Sequence, residues 1–359
     1  MSQDSLVDFI ARVSGDAHLA VEENLGSGYV RLRTAEAERR QAKHDIRCVE
    51  DIVIEMLRNA RDANARTIYV ASTKEGDMRT LVLIDDGDGV PANMHDAIFE
   101  PRVTSKLETM VMDTWGVHGR GMALYSIRAN ADCAKVASSD SGLGSSFLVN
   151  VDTAKLTERS DQSTLPQIER NEDGIYEVAS GPHNIARVIA EFSLEEKDRL
   201  KVFLGSPAEI ITTLIEAGRH SLTDSELLFC DDIEKLPVFT RPCMAEDATR
   251  LAEISASIGL SISTRTAHRI LAGKIKKADC LLDRLLKKHR RSTRQTKADI
   301  YGDSRGLKIS HDDLERFSRS MENAFQDISE RYYLQLADEP KIRVGKDAIT
   351  VTFSIEKDV

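Results

Sequence analysis

The chain has 359 residues, a formal net charge of −10, 41% hydrophobic residues and 30% charged residues. This length predicts two or three domains, and the composition is typical of a soluble globular protein rather than a disordered or fibrous one. No apolar run approaches a membrane span, and the N-terminal residues lack a basic stretch ahead of an apolar one. The five cysteines form no CxxC pair, which argues against a zinc site or a disulfide framework and favours a cytoplasmic location.

The first part of the chain alternates between helix and strand patterns. Residues 102–118 have no clear period and end in glycines, which is typical of a loop. The order of elements predicts a fold of the α+β class, a two-layer α/β sandwich over residues 1–155. Helical periodicity is found at 4–13, 48–63 and about 119–131, and strand patterns are found at 28–34, 66–72, 79–85 and in the runs AKVASS and SSFLVNV.

The rest of the chain is expected to be mainly helical. We expect a linker or irregular segment at 156–192 and a helical region at 193–300. Residues 301–359 are expected to form a long helix followed by a C-terminal β-hairpin. Residues 246–275 have the helix, glycine turn and second helix of a helix-turn-helix. The segment 265–297 carries twelve Lys or Arg against two acids, a net charge of +10. Such a block is typical of a nucleic-acid contact, and equally of the solvated face of long helices.

A polar stripe runs along the helix predicted at 48–63. Glu55, Asn59 and Asp62 fall within a narrow sector of that helix, opposite its apolar residues. An amide oxygen one turn from a carboxylate suits Mg²⁺ carried by a nucleotide. A carboxylate beside it could orient and deprotonate a water molecule aimed at a phosphate. Taken alone, the stripe is better explained as a solvated helix face.

A second acidic motif, LVLIDDGDGVP, ends an apolar strand in Asp85, followed by Gly87 and Gly89. A carboxylate at a strand end can accept a hydrogen bond from an exocyclic amino group such as that of adenine. Glycines allow a base to approach the backbone closely. An acidic turn is an alternative, whereas a calcium loop fails because Val90 stands at a ligand position.

A glycine-rich run, WGVHGRGMALYSI, places Gly116, Gly119 and Gly121 just ahead of a predicted helix. Free backbone N–H groups at a helix start can cradle phosphate when no side chain obstructs them. The spacing is neither that of the Walker loop nor that of the Rossmann fingerprint. A Gly-Leu-Gly-Ser turn at 142–145 then leads into a strand.

Taken together, these motifs resemble the GHKL superfamily, which comprises the gyrases, heat-shock chaperones, histidine kinases and MutL-type mismatch-repair ATPases. The sequences ExxxNxxDA, DDGDG, IFEP…TSK, GRGMALYSI and GLGSSF stand in the order and spacing of its N, G1, F, G2 and G3 boxes. The resemblance covers about residues 1–155 and implies the Bergerat ATP-binding fold, with ATP and Mg²⁺ as ligands.

By position, the resemblance implies a role for each matched residue. Asn59 would ligate the Mg²⁺, and Glu55 would be the catalytic base of a hydrolase. Asp85 would bind the amino group of adenine, while Gly87 and Gly89 would shape the base pocket. These assignments explain the polar stripe as one that faces a nucleotide rather than bulk water.

The resemblance also implies further nucleotide contacts. Ser145 or Ser146 would line the purine side, with Ser146 as the chosen candidate, and a lid would span roughly 100–118. For His118 in that lid, a phosphate contact and an exposed loop position are weighed equally. The remaining residues expected to contact the nucleotide are Asp62, Ser105, Lys106, Gly119, Arg120, Gly121 and Met122.

The motifs leave two activities open. IFEP and GLGSSF are more similar to histidine kinases, whereas EMLRNARDANA, with Glu55 and Asp62, is more similar to the hydrolysing branch. A kinase also needs a phosphoacceptor, and His44 is too close to Glu55 to belong to a separate hairpin. His311 is better explained as the start of a helix capped by Ser310.

We therefore expect a slow ATPase in which closure of the lid, with homodimerisation, switches a C-terminal effector module. The alternative is a histidine-kinase-like regulator that acts on a partner protein in trans, and a third hypothesis is a nucleotide sensor with negligible turnover. The expected macromolecular partners are a protein effector and DNA bound through 246–297, with no membrane contact. No lysine can be assigned from the sequence to the γ-phosphate.

Overall fold

The computed structural model describes most of the chain, in two compact units, Met1–His289 and Arg290–Val359. The helix predicted at 4–13 lies outside the described residues. The described residues are 21–34, 36–105, 111–113, 116–118, 121–159, 161–171, 174–223, 230, 232–294, 311–332, 334–344 and 349–357.

The first unit contains both strands and helices. Its strands are β1 (Val21–Gly26), β2 (Tyr29–Leu32), β3 (Thr67–Glu75), β4 (Met78–Asp85), β5 (Val103–Thr104), β6 (Val111–Asp113), β7 (Gly116–His118), β8 (Cys133–Ser139), β9 (Ser145–Asp152), β10 (Gln167–Arg170), β11 (Tyr176–Ser180) and β12 (Lys201–Gly205). Its α-helices are α1 (Glu36–Asp45), α2 (Val49–Asp62), α3 (Ala123–Asn130), α4 (Ile185–Glu195), α5 (Pro207–Ser221), α6 (Ala248–Ser257) and α7 (Thr264–Leu271), and α8 (Leu281–Arg294) begins in it. Short 3₁₀ helices cover Ala92–Met94, Ala97–Phe99, Ile233–Lys235 and Val238–Met244.

Helix α2 confirms the helix predicted at 48–63. The backbone N–H of Cys48 donates to the carboxylate of Asp51, which satisfies one of the free groups at the helix start. The acidic residues in the first turn also interact favourably with the positive end of the helix dipole, which stabilises the start of α2. The apolar side of α2, including Ile52 and Leu57, is fully buried. Burial of that side fixes the rotation of α2 and therefore the direction in which its polar stripe points.

The central sheet has five strands in the order β12-β3-β4-β9-β8. Strand β12 pairs with β3 in parallel, and the other neighbours are antiparallel. In this register Asp85, the last residue of β4, lies beside Ser145 at the start of β9. The ends of the two central strands therefore meet at one edge of the sheet, and this edge positions the candidate site.

Both faces of the sheet are apolar and both are covered. The first face packs against α2, α3 and α4 through Val70, Leu81, Leu83, Val149, Ile52, Leu57, Ile127 and Ile189. The second face packs against α5, α6 and α7 through Tyr69, Ala71, Val82, Ile84, Ile210, Leu214, Leu251 and Ala267. The predicted α+β sandwich is confirmed, and a second helical layer is added to it. Exposing the second face to water would lose the burial of its apolar side chains.

The first unit continues past residue 155, where we expected the sandwich to close. The segment predicted as a linker contains the hairpin β10–β11, and its Leu156 and Ile168 are buried in the core. Strand β12 then adds an edge strand to the central sheet, with Val202 fully buried. The polar composition of this segment reflects its exposed face, whereas its apolar residues belong to the same core.

The second unit contains the predicted long helix and the predicted hairpin. Helix α9 (His311–Tyr332) is followed by β13 (Leu334–Leu336), β14 (Lys341–Val344), β15 (Ile349–Thr352) and β16 (Ile355–Lys357). The hairpin is β14–β15, and β13 pairs with β16. Ser310, expected to cap α9, lies outside the described residues. Within the described parts of the chain, no helix is both long enough and apolar enough to cross a membrane.

Candidate nucleotide-binding site

A cleft with a volume of about 680 Å³ opens between the polar side of α2 and the ends of β4 and β9. It brings together residues that lie more than 80 positions apart in the chain, such as Glu55 and Ser145. The predicted site residues that line it are Glu55, Asn59, Asp62, Asp85, Gly89, Ser105, Gly121 and Met122. The polar stripe of α2 therefore faces a concave site rather than open solvent.

Asp85 lies at the buried end of this cleft. Its side chain is 1% exposed, and its Oδ1 accepts a hydrogen bond from the backbone N–H of Gly87 at 2.9 Å. Burial raises the pKa of Asp85 to about 7, because a carboxylate loses its hydration there, while hydrogen bonds from the backbone of Gly87 and Ser145 act in the opposite direction. A buried acceptor with so little hydration favours a ligand that donates a hydrogen bond to it.

The other two acids of the DDGDG motif have structural roles. Oδ1 of Asp86 accepts the backbone N–H of Thr67 at 2.8 Å and thereby caps the start of β3. Oδ2 of Asp88 accepts a hydrogen bond from Nδ2 of Asn64 at 2.7 Å. Asp88 also lines the cleft, but it is exposed. Asp85 is therefore the acid of this motif that is buried in the cleft.

Glycines are needed where the backbone segments around Asp85 approach one another. A Cβ at Gly87 would lie 2.4 Å from the carbonyl oxygen of Ala63. A Cβ at Gly89 would lie 1.9 Å from the carbonyl oxygen of Asp140, and Gly89 also has a positive φ of 74°. Both distances are far below a van der Waals contact, so a side chain at either position would displace the backbone.

The two candidate serines for the purine side, Ser145 and Ser146, lie in different places. Its Oγ donates to the carbonyl oxygen of Ile258 at 2.7 Å, in the helical layer on the second face of the sheet. Ser145 instead lines the cleft. Side chains alternate along a strand, so only one of two neighbouring serines can face the cleft. Of the two candidates, Ser145 therefore lines the cleft and Ser146 does not, while the contact with a purine remains a prediction.

The polar stripe of α2 contains oxygen ligands and one buried amide without a partner. Oε1 of Glu55 is 2.5 Å from Nη1 of Arg58, and Oδ1 of Asp62 is 3.1 Å from Nε of Arg61. Nδ2 of Asn59 is buried, and no hydrogen-bond partner for it is found among the described residues. Because an amide can turn either its oxygen or its nitrogen towards a partner, the orphaned group fits a ligand atom or ion in the cleft.

The donor set around Asn59 suits Mg²⁺ held mainly by a nucleotide. Among the described residues, no cluster of three or more His, Cys, Asp or Glu side chains could hold a metal by itself. Mg²⁺ keeps several waters and commonly takes one or two protein ligands plus substrate phosphates. The residues present therefore fit an ion that arrives with its ligand.

The family described as "Histidine kinase-, DNA gyrase B-, and HSP90-like ATPase" matches residues 46–181. Residues 46–181 form a GHKL-type ATPase domain. Two curated proteins of Thermus thermophilus strains, each named "DNA mismatch repair protein MutL", are 42% identical to the chain over 84 residues. The protein of that name from Thermus aquaticus is 40% identical over 84 residues. Each match covers 23% of this chain and 15% of the relative, so the likeness concerns a small part of those longer proteins.

The match of residues 46–181 to this ATPase family supports ATP as the ligand of the cleft. The matched range includes α2, the DDGDG motif and β9, which together form most of its walls. It ends at residue 181, before β12 and the helical layer on the second face of the sheet. The added layer therefore lies outside the part of the chain that the family describes.

Two residues that line the GHKL cleft lie outside the motifs found in the sequence. Tyr29 of β2 lines the cleft and has a side-chain hydrogen bond with Ser105, and burial raises its pKa. Arg47 also lines it. The sequence predicts a strand at 28–34. Because this strand is distant in sequence from the GHKL boxes, its position beside them could not be predicted.

Part of the predicted lid lies outside the described residues. Lys106, Gly119 and Arg120 belong to that part, so their expected nucleotide contacts remain predictions. His118 lies in β7, which pairs with β6, but only its backbone is described. The two interpretations of His118 therefore both stand.

Proposed function

We propose that this protein binds Mg²⁺-ATP in the cleft of its GHKL domain and hydrolyses it slowly. The observation that carries the proposal is the convergence, in one cleft, of a buried acceptor at Asp85 and an unpartnered amide at Asn59. The carboxylate of Glu55 lies on the same polar stripe as Asn59.

The base end of the ATP would lie over Asp85. In the proposed complex the carboxylate of Asp85 accepts a hydrogen bond from the exocyclic amino group of adenine, and Ser145 lies beside the purine. Asn59 would hold the Mg²⁺, which when bound neutralises part of the phosphate charge. Gly121, with a positive φ of 65°, lines the cleft just before α3 and would lie beside the phosphates.

Glu55 is the proposed general base. Its carboxylate would take a proton from a water molecule whose oxygen attacks the γ-phosphorus. The bond from the γ-phosphorus to the bridging oxygen then breaks, and ADP and inorganic phosphate are the products. Oε1 of Glu55 is 2.5 Å from Nη1 of Arg58, so Glu55 enters this proposal as one member of an ion pair on α2.

The helical layer on the second face is the proposed effector. The turn between β8 and β9 is bonded to the cleft loop on one side, because the N–H of Gly142 donates to the carbonyl oxygen of Asp88 at 2.6 Å. On the other side, the N–H of Val238 donates to the carbonyl oxygen of Leu143 at 2.8 Å. A change at the base pocket can therefore reach the second face through one short turn.

DNA association is proposed for the surface formed by α7 and the residues after it. Arg265, His268 and Arg269 are exposed at positions i, i+3 and i+4 of α7, opposite the buried Ala267 and Ile270. This is the arrangement expected of a helix that contacts phosphates. The relatives are named DNA mismatch repair proteins, and this name also supports DNA association.

Steady-state phosphate release by the full chain, with and without duplex DNA, tests the proposal. We expect slow, Mg²⁺-dependent release that Glu55→Ala abolishes while ATP binding persists. ATP labelled at the γ-phosphate is used throughout, because stable label on protein would instead support the kinase alternative, and binding without release or labelling would support a nucleotide sensor. Sedimentation with and without ATP tests the homodimer that the sequence led us to expect.

A further inference from the structure

The GHKL cleft is strongly acidic, and this raises the question of what binds the terminal phosphate. Among the described residues that line the cleft, five are Asp or Glu and only two carry a permanent positive charge, Arg47 and Arg58. A nucleotide triphosphate brings further negative charge into this space. Mg²⁺ offsets part of it, and the remaining charge favours a cation built into the site.

Arg58 is the buried cation of the two. It is 4% exposed, whereas Arg47 is exposed. A guanidinium that has already lost its hydration interacts more strongly with a phosphate than one in open solvent, because the surrounding dielectric constant is lower. Its place on α2, immediately before Asn59, puts it at the end of the cleft assigned to Mg²⁺ and the phosphates.

Arg58 also lies between two cavities. A second cavity of about 550 Å³ adjoins the nucleotide cleft, and Glu55 and Arg58 line both of them. Because Nη1 of Arg58 contacts Oε1 of Glu55 at 2.5 Å, the pair forms part of the boundary between the two spaces. A guanidinium has five N–H donors in a planar fork, and this geometry suits simultaneous contact with a carboxylate and a phosphate.

We propose that Arg58 binds the terminal phosphate of the nucleotide from within α2 and at the same time positions Glu55 beside it. The chain thereby supplies its γ-phosphate cation from the helix that carries Asn59. This inference rests on the proposed ATP binding, and it names the residue that distinguishes the triphosphate from the diphosphate.

The test compares the affinity of the full chain for ADP and for the β,γ-imido analogue of ATP, both with Mg²⁺, by titration calorimetry. Arg58→Gln should weaken binding of the triphosphate analogue by about tenfold to a hundredfold relative to ADP, which is the loss of a charge-assisted hydrogen bond. Arg58→Lys, which keeps the charge but not the fork, should recover part of this preference. Its ATP turnover should recover less, because an ammonium lacks the planar fork that fixes the orientation of Glu55.

Arg61→Gln is the matched control. Arg61 is on the same helix and similarly buried, it pairs with Asp62 and Glu196, and it is absent from the described lining of the cleft. Its replacement should change the affinity for both nucleotides alike. If Arg58→Gln fails to fold, Arg58→Met, which keeps the aliphatic stem, takes its place.

An unchanged ratio of the two affinities in the Arg58 variant would overturn the inference, as would an equal loss for both nucleotides. Failure of the wild-type chain to bind either nucleotide would instead reject the proposed function itself. The two failures are therefore distinguishable in one set of titrations.

Discussion

Ser145 and Ser146 are neighbours in β9, but their side chains belong to opposite sides of the central sheet. Ser145 lines the nucleotide cleft, while Oγ of Ser146 donates to the carbonyl oxygen of Ile258 in the second helical layer. Substitutions at these two adjacent residues should therefore test separately the binding of the ligand and the attachment of the helical layer.

The first prediction uses this pair. Ser146→Ala should lower the free energy of unfolding by about 1–3 kcal/mol, because the buried carbonyl group of Ile258 loses its partner. Its affinity for ATP should stay within about twofold of the wild type. Ser145→Ala should show the reverse, with weaker ATP binding and a smaller change in stability. Urea unfolding and titration calorimetry measure the two quantities, and the opposite pattern would reject the assignment of faces.

The second prediction concerns pH. The pKa of Asp85 is raised by burial to about 7, and a donor group from adenine favours its ionised form. Binding of ATP should therefore release a proton, and below pH 7 the affinity should fall by about tenfold per pH unit. Titrations between pH 6 and 8, in buffers of different ionisation enthalpy, measure both effects. Asp85→Asn is the control and should lack this pH dependence, while a wild-type affinity that is flat over the range would contradict the role of Asp85.

The same raised pKa predicts the pH dependence of stability without nucleotide. Because the folded state holds the proton on Asp85 more tightly than the unfolded chain, the contribution of Asp85 to the free energy of unfolding should rise as the pH falls from about 7 towards the ordinary pKa of an aspartate. Asp85→Asn should remove this contribution. The difference between the wild type and the variant in urea unfolding at several pH values isolates it, and a parallel pair of curves would argue against a buried, protonated Asp85.

The fourth prediction compares two glycines with nearly equal backbone angles. Gly89 and Gly142 have φ values of 74° and 76°, but a Cβ at Gly89 would lie 1.9 Å from the carbonyl oxygen of Asp140, whereas a Cβ at Gly142 has open space. Gly142→Ala should cost about 1–2 kcal/mol for the left-handed conformation alone. Gly89→Ala should add an overpacking cost of about 1–3 kcal/mol and weaken ATP binding. Thermal unfolding of the two variants measures these losses of stability. Equal losses would contradict the prediction, because they would mean that the backbone near Gly89 moves aside without strain.

The fifth prediction concerns the extent of the first unit. A fragment of residues 21–155 lacks β12 and the second helical layer, and it exposes Tyr69, Val82 and Ile84 to water. We expect this fragment to aggregate, whereas residues 21–289 should fold with a single cooperative transition and bind ATP. Size-exclusion chromatography and circular dichroism of the two fragments check this, and a soluble, cooperatively folded short fragment would contradict it.

Features that depend on residues close together in the chain could be predicted from local patterns alone. The stripe Glu55–Asn59 follows from helical periodicity, and Gly87 and Gly89 stand directly after Asp85 in one short motif. These motifs were sufficient to predict the α+β sandwich and the superfamily of the domain.

Tertiary structure decided the rest, because contacts between distant segments leave no local pattern. It decided that β12 joins β3, that Ser145 rather than Ser146 faces the cleft, and that Tyr29 lies beside the nucleotide motifs. It also decided that the guanidinium of Arg58 pairs with Glu55 at a cavity boundary instead of lying in solvent. Strand pairing and burial depend on which surfaces meet, and that is known only once the whole chain has packed.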